Sequence, residues 1–131
     1  ESGLALETEI AEGIAIQGSP DHLRQVVEIL LDNAGKYGEG TVSVRLERAG
    51  GKSCLLSVAS RGASISKEDL RNIFKRFYRV DEARSRDGSY GLGLSIAEGI
   101  VQAHRGRIWA ESEGGINTFF VRLPVDKEKT A

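Results

Sequence analysis

The feature that most constrains this chain is an abrupt change of hydrophobic period across two glycines. Upstream, Leu23, Val27, Leu30 and Ala34 recur at helical spacing, as in a helix with one apolar stripe. Downstream of Gly38 and Gly40, the run Thr41-Val42-Ser43-Val44-Arg45-Leu46-Glu47 alternates with a period of two, as in a strand buried on one face. Such a chain lays an amphipathic helix over a sheet. Ser19 is placed to cap the helix, Pro20 suits its first position, and Asp21 faces the positive end of its dipole.

The remaining elements extend the same plan. Ala49-Gly50-Gly51-Lys52 is a turn, and residues 53–59 form a second, more apolar strand, so the two runs make a hairpin. Residues 4–17, with Leu4, Leu6, Ile10, Ile14 and Ile16 punctuated by Gly13, read as two short strands. A short helix is expected from about Ser66, with Glu68 and Asp69 in its first turn, leading into Ile73-Phe74-Lys75-Arg76-Phe77-Tyr78. Residues 79–89 are polar and charged, a mobile-loop candidate. Helical spacing returns over 92–105 through Leu94, Ala97 and Val101, ending in a basic turn and Gly106. Strands over 107–111 and 118–125 flank Gly114-Gly115. The expected fold is α/β, a two-layer sandwich of a mixed, mainly antiparallel five-stranded sheet with about three helices on one face. It forms a single domain over residues 1–131.

With 131 residues, 40% of them hydrophobic, the chain can fill one core without disulfides. The lone Cys54 lies in an apolar run and reads as a small buried hydrophobe. A net charge of -1 with scattered basic residues gives no footprint for nucleic acid or anionic lipid. No apolar stretch approaches the roughly 20 residues of a membrane span, and the N-terminus has neither the basic start nor the apolar core of a signal peptide. The expectation is a soluble, monomeric domain without membrane contact. Neither of the two histidines has a second ligand type at metal-site spacing, so any metal arrives with a ligand.

Two constellations carry chemistry. Asn33, Lys36 and Tyr37 share one helix face at i, i+3, i+4, combining an amide oxygen, a cation and a ring. An amide oxygen can coordinate magnesium, and an ammonium adds a point charge near phosphate; alternatively the three are a solvated helix end. Gly88-Ser89-Tyr90-Gly91-Leu92-Gly93-Leu94 stands where a loop enters a helix, so its glycines let backbone amides approach an anion.

In order along the chain, Ile29-Leu30-Leu31-Asp32-Asn33-Ala34-Gly35-Lys36-Tyr37, Ile73-Phe74-Lys75-Arg76-Phe77-Tyr78-Arg79-Val80-Asp81 and Gly91-Leu92-Gly93-Leu94-Ser95-Ile96-Ala97 resemble the ATP-binding catalytic domain of sensor histidine kinases. The resemblance covers nearly the whole chain and implies a Bergerat-type ATPase fold, with Mg-ATP as cofactor. It implies that Asn33 binds magnesium, Lys36 contacts phosphate and Tyr37 packs near adenine. Phe74 and Phe77 match the phenylalanine box, where core packing is an equal alternative to ligand contact. Gly91, Leu92, Gly93 and Leu94 would meet phosphate, and Thr118 would close the last glycine-box region. The γ-phosphoryl would pass to a histidine on a separate dimerisation domain, with a response regulator as a further partner. The chain would be a fragment of a longer protein, the cytoplasmic part of a membrane-anchored sensor.

The family usually has an aspartate in a V-x-D-x-G-x-G-I run that takes a hydrogen from the adenine amino group. Here Val58-Ala59-Ser60-Arg61-Gly62-Ala63-Ser64-Ile65 places Ser60 at that aspartate and Ser64 at the second glycine, leaving Ser60, Gly62 and Ile65 to line the adenine side. Losing the charged acceptor would cost about 1–2 kcal/mol of binding, and serine at a positive-φ position would add strain of about 1–2 kcal/mol. Ile29 replaces a second asparagine and Ile116 a glycine. These departures motivate the alternative of a non-catalytic interaction module. A chaperone- or mismatch-repair-type ATPase would need a glutamate base ahead of the asparagine, and neither Asp32 nor Glu28 meets its spacing. His22 and His104 read as helix-surface or dipole-favoured residues rather than phosphoacceptors.

Overall fold

The computed structural model describes residues 6–37, 39–78 and 92–126, with the backbone but not the side chain of Tyr37. These residues form β1 (Leu6–Ile10), α1 (Pro20–Tyr37), β2 (Glu39–Ala49), β3 (Ser53–Arg61), α2 (Lys67–Asn72), α3 (Gly93–Ala103), β4 (Arg107–Glu113) and β5 (Ile116–Pro124). The strands make one five-stranded sheet in the order β1-β2-β3-β5-β4. Only β1 and β2 pair in parallel, and α1 is the crossover that a parallel pair requires. The expected α/β layering is therefore present.

Strand alternation decides which side of the sheet is covered. Cys54 pairs with Leu123, Leu56 with Val121 and Val58 with Phe119, while Ile108 and Ala110 on β4 extend the last two rows. These rows share one core with Val26, Leu30 and Ala34 of α1 and Ala97 and Val101 of α3. Leu30, Val58, Val101 and Val121 are among the fully buried side chains, so truncating one to alanine costs about 2–4 kcal/mol. Burial also raises the Cys54 thiol above its ordinary pKa, in keeping with its reading as a small core residue.

Two expectations need correction. The inward stripe of α1 runs through Val26 rather than Val27: Val26, Leu30 and Ala34 stack at intervals of four, while Val27 lies a residue's rotation away and is only partly buried. The N-terminal stretch forms one strand among the described residues, not two. Its ladder ends where the Ala11 amide donates to the Leu46 carbonyl, and Gly13, at φ 77°, turns the chain away. Ile14 and Ile16 then pack against the core from an irregular segment whose Ala15 carbonyl accepts from the Asp126 amide.

Turns and caps follow the sequence chemistry closely. Gly114 and Gly115, at φ 60° and 80°, supply the two left-handed positions of the tight β4–β5 hairpin. The Ser19 hydroxyl accepts from the His22 amide at 3.3 Å, and the Ser66 hydroxyl from the Asp69 amide at 3.0 Å. His104 has a more specific role than a dipole-favoured helix end. Its Nε2 accepts from the Ser19 amide at 3.1 Å while Nδ1 lies 2.8 Å from the Ile100 carbonyl, an arrangement that requires the proton on Nδ1. A side chain at Gly18 would collide with that imidazole, so glycine there lets the end of α3 clasp the start of α1.

Arg105 follows this clasp in the left-handed conformation, at φ 64°, and its side chain is exposed. The conformation costs an arginine about 1–2 kcal/mol that a glycine is spared, partly offset by glycine's freer unfolded chain. Arg105→Gly is therefore expected to raise stability by about 0.5–1 kcal/mol, seen in thermal denaturation as a Tm higher by roughly 2–4 °C. An unchanged or lowered Tm would contradict this account of the α3 terminus.

Candidate functional site

The apolar rows on the helix face of the sheet end in a polar one. Two residues beyond Val58, Phe119 and Ala110, alternation brings Ser60, Asn117 and Ser112 into register across β3, β5 and β4. Ser60 is only 9% exposed. The row holds the segment that follows β3: Asn117 Nδ2 donates to the Ala63 carbonyl at 3.0 Å, and the Ile65 amide donates to Ser112 Oγ at 2.9 Å. The Gly62 amide adds a bond to the Gly115 carbonyl at 3.0 Å. Asn117 Oδ1 is buried without a hydrogen-bond partner.

Ser60, Gly62 and Ile65 thus meet at one end of the sheet, as the sequence reading grouped them. Thr118 does not join them. It pairs with Ala59 and Glu111, so the pleat turns it to the open face while Asn117 points toward the helices. Asn117 and Ser112, which share this row, were not among the expected site residues, although both are polar residues in phase with core positions of their strands. The feared strain at Ser64 is absent, because Ser64 has no positive φ. Ile116 is likewise accommodated as a strand residue, with the turn made by Gly114 and Gly115.

A second group lies where α1 meets the start of α3. Asn33 is partly buried on α1, and the Lys36 ammonium pairs with Asp32 Oδ2 at 3.1 Å. One turn before Asn33, Ile29 Cγ2 lies 3.4 Å from where a Cβ on Gly93 would sit. Ile29 therefore packs against the first residue of α3 at the position where an asparagine was expected. The N-cap of α3 is Leu92, whose side chain cannot accept a hydrogen bond, and the first turn holds no acidic residue. Ser95 Oγ donates to the Leu92 carbonyl at 2.8 Å instead of accepting from an amide. The amides of Gly93, Leu94 and Ser95 precede the first carbonyl-bonded turn, so this terminus suits an anion.

The two phenylalanines part company. Phe74 makes an edge-to-face contact with Phe119, centroids 6.2 Å apart, and belongs to the core margin. Phe77 is 61% exposed at φ 66°, with the Arg76 guanidinium 5.5 Å from its ring centroid. The neighbouring Tyr78 hydroxyl donates to the Asp69 carboxylate, which raises the phenol's pKa and ties this segment to α2. Gly91, the loop candidate 79–89 and the Tyr37 ring lie outside the described residues.

Among the described residues, no group of three or more His, Cys, Asp or Glu side chains could hold a metal ion. A divalent ion here would depend on Asn33 and on oxygens brought by a ligand. A depression lined by Glu7, Glu9, Ser43, Arg45 and Ser57 lies over β1, β2 and β3, on the sheet face away from the polar row. It shares no residue with either group.

Residues 18–127 match the family described as histidine kinase-, DNA gyrase B-, and HSP90-like ATPase. The chain is 41% identical over 113 residues to the adaptive-response sensory kinase SasA of Synechococcus elongatus, covering 84% of this chain and 29% of that protein. It is 42% identical over 115 residues to the sensor histidine kinase WalK of Bacillus subtilis, covering 83% of this chain and 19% of WalK. The chain thus spans less than a third of the length of either relative. The catalytic domain of histidine kinase ThkA superposes with a TM-score of 0.83 at 23% identity, over 98% of this chain and 83% of that one. Full-length ShkA in complex with AMPPNP gives 0.80 at 24% identity, over 99% of this chain and 27% of that one.

The polar row yields a direct test. Ser112→Ala leaves the Ile65 amide without its acceptor, which should lower stability by about 1 kcal/mol. Hydrogen exchange at Ile65 should accelerate at least severalfold while Leu30 and Val101 keep their protection. Unchanged exchange at Ile65 would show that Ser112 does not hold the segment.

Proposed function

This chain belongs to the histidine kinase-, DNA gyrase B-, and HSP90-like ATPase family and is a histidine kinase catalytic domain by that membership, and we propose that it binds Mg-ATP and donates the γ-phosphoryl to a histidine on a separate dimerisation domain. The observation that carries this reading is the packing of Ile29 on Gly93, which sets the Asn33 face of α1 beside an amide-rich helix start. A hard amide oxygen and an anion-accepting terminus are complementary to a magnesium-bound polyphosphate.

When bound, Mg-ATP supplies the transferable phosphoryl group and the metal charge that offsets its oxygens. The chain's own residues then hold it in place. Backbone amides at Gly93, Leu94 and Ser95 donate toward phosphate, and Asn33 offers its oxygen to the hydrated ion. Lys36, whose ammonium pairs with Asp32 in a surface contact worth under about 1 kcal/mol, offers its charge toward phosphate. The polar row Ser60, Asn117 and Ser112 takes the adenine side, supported by the bonds at Gly62, Ala63 and Ile65. That ShkA is solved with AMPPNP supports such a ligand for the shared fold.

The accepting histidine belongs to another segment of the protein. His104 is committed through both ring nitrogens to the α1–α3 clasp, and His22 sits exposed in the first turn of α1. In this reading the partners are a histidine-bearing dimerisation domain of the same protein and, downstream, a response regulator, with the domain on the cytoplasmic side.

Calorimetric titration with ATP and magnesium tests the reading, and no heat at millimolar nucleotide would refute it. Asn33→Ala should weaken ATP about tenfold or more with magnesium present and about twofold at most in its absence. Gly93→Ala has room for its Cβ at 3.4 Å from Ile29, so Tm should hold while affinity falls about tenfold as the phosphate loses its close approach. A parallel loss of Tm would assign Gly93 to packing alone.

A further inference from the structure

Among the described residues, Asn117 Oδ1 is the buried side-chain oxygen or nitrogen without a hydrogen-bond partner. Native folds leave few such atoms, and an unmet buried acceptor costs about 1–3 kcal/mol, so its position invites a donor. Its orientation is set by chemistry rather than by choice of amide flip. The Nδ2 group donates to the Ala63 carbonyl at 3.0 Å, and reversing the amide would set oxygen against oxygen. The carbonyl end is therefore fixed as an acceptor, on the helix face, directly opposite Ser60 in the β3–β5 register.

Ser60 occupies the position where an aspartate was expected to receive a hydrogen from the adenine amino group. A serine hydroxyl can replace that contact but cannot discriminate by it, because it rotates to donate or accept. It would satisfy a 6-amino or a 6-oxo purine equally. Asn117 Oδ1 lacks this freedom, since its own amide nitrogen is already engaged.

We propose that Asn117 is the specificity-determining residue of the nucleotide site: its Oδ1 accepts a hydrogen from the exocyclic amino group of adenine, moving the acceptor from β3 to the neighbouring strand β5. This rests on the Mg-ATP reading. A 6-oxo purine would bring a second acceptor against Oδ1 and leave both unpaired, the situation in which binding sites discriminate most strongly. Thr118, on the other face of the sheet, cannot serve in its place.

The test compares ADP with IDP and with purine-riboside diphosphate, which lacks the 6-amino group, by calorimetry on the intact chain with magnesium. The wild-type protein should bind ADP about tenfold or more tightly than either analogue. Asn117→Leu, similar in size but without an acceptor, should weaken ADP about tenfold and bring the ADP/IDP ratio to within about twofold of one, while Ser60→Ala leaves the ratio within about twofold of wild type. Should Asn117→Leu lose its cooperative melt with the Ala63 bond, the wild-type protein supplies the readout. The Asn117 side-chain 13Cγ resonance should shift downfield with ADP and not with purine-riboside diphosphate. Ratios unaltered by Asn117→Leu, a ratio abolished by Ser60→Ala alone, or a 13Cγ resonance indifferent to the amino group would each overturn the assignment while leaving nucleotide binding intact. Failure of all three nucleotides to bind would instead remove the Mg-ATP reading, and this proposal with it.

Discussion

A slip of one residue between β3 and β5 would turn either Val58 or the pair Phe119 and Val121 away from the helices, and nearly everything else in the molecule depends on that slip being forbidden. In the observed register these side chains join α1 and α3 in one core, and Ser60 and Asn117 follow at its edge. The same register sends Phe120 to the open face, where it stacks on Trp109 with centroids 5.2 Å apart beneath the Arg107 guanidinium. The burial that stabilises the fold and the polar row that gives it chemistry are consequently one pattern read along the same strands.

The helices meet this sheet as an antiparallel pair pinned at two places. Near one end, His104 of α3 accepts from Ser19 at the start of α1; near the other, Ile29 of α1 rests against Gly93 at the start of α3. A shift of α3 along α1 would have to break a buried-side hydrogen bond and unpack an isoleucine together. The start of α3 is thus held beside the half of α1 that carries Asn33 and Lys36. Gly106 follows the end of α3, its missing side chain letting the backbone there approach the Arg122 carbonyl of β5 closely.

Most of this plan was legible because local chemistry and tertiary need coincided. Ser19 and Ser66 announced helix starts that the structure confirms, and Gly114-Gly115 was expected between two strands, which it joins as a hairpin. The period-two run of β2 was visible because one of its faces is buried, and β3 was visible as an apolar run after a glycine turn. The misses fall where neighbours decide. Residues 14–17 carry strand-like apolar residues, but Gly13 takes the chain off the sheet edge before they can pair. Val27 and Val26 are indistinguishable in type, and only the contact with the sheet selects Val26. Thr118 was expected at the site from its place in a motif, whereas the phase set by Phe119 and Val121 gives the helix face to Asn117.

The departures from the family pattern are not equivalent once their surroundings are known. Ile29 exchanges a polar group for packing on Gly93, Ser64 sits where no left-handed conformation is needed, and Ile116 is relieved of the turn by its neighbours. All three are absorbed by the backbone or the core. Ser60 differs, because at 9% exposure it lies within the polar row, with a hydroxyl where the family usually has a carboxylate. A carboxylate there would also face Asn117 Oδ1 across the strand pair, oxygen toward oxygen in a buried setting. If Asn117 takes the adenine amino group as proposed, the neutral residue on β3 and the carboxamide on β5 act as a pair, with a charge-free acceptor one strand away from where the family usually has a charged one.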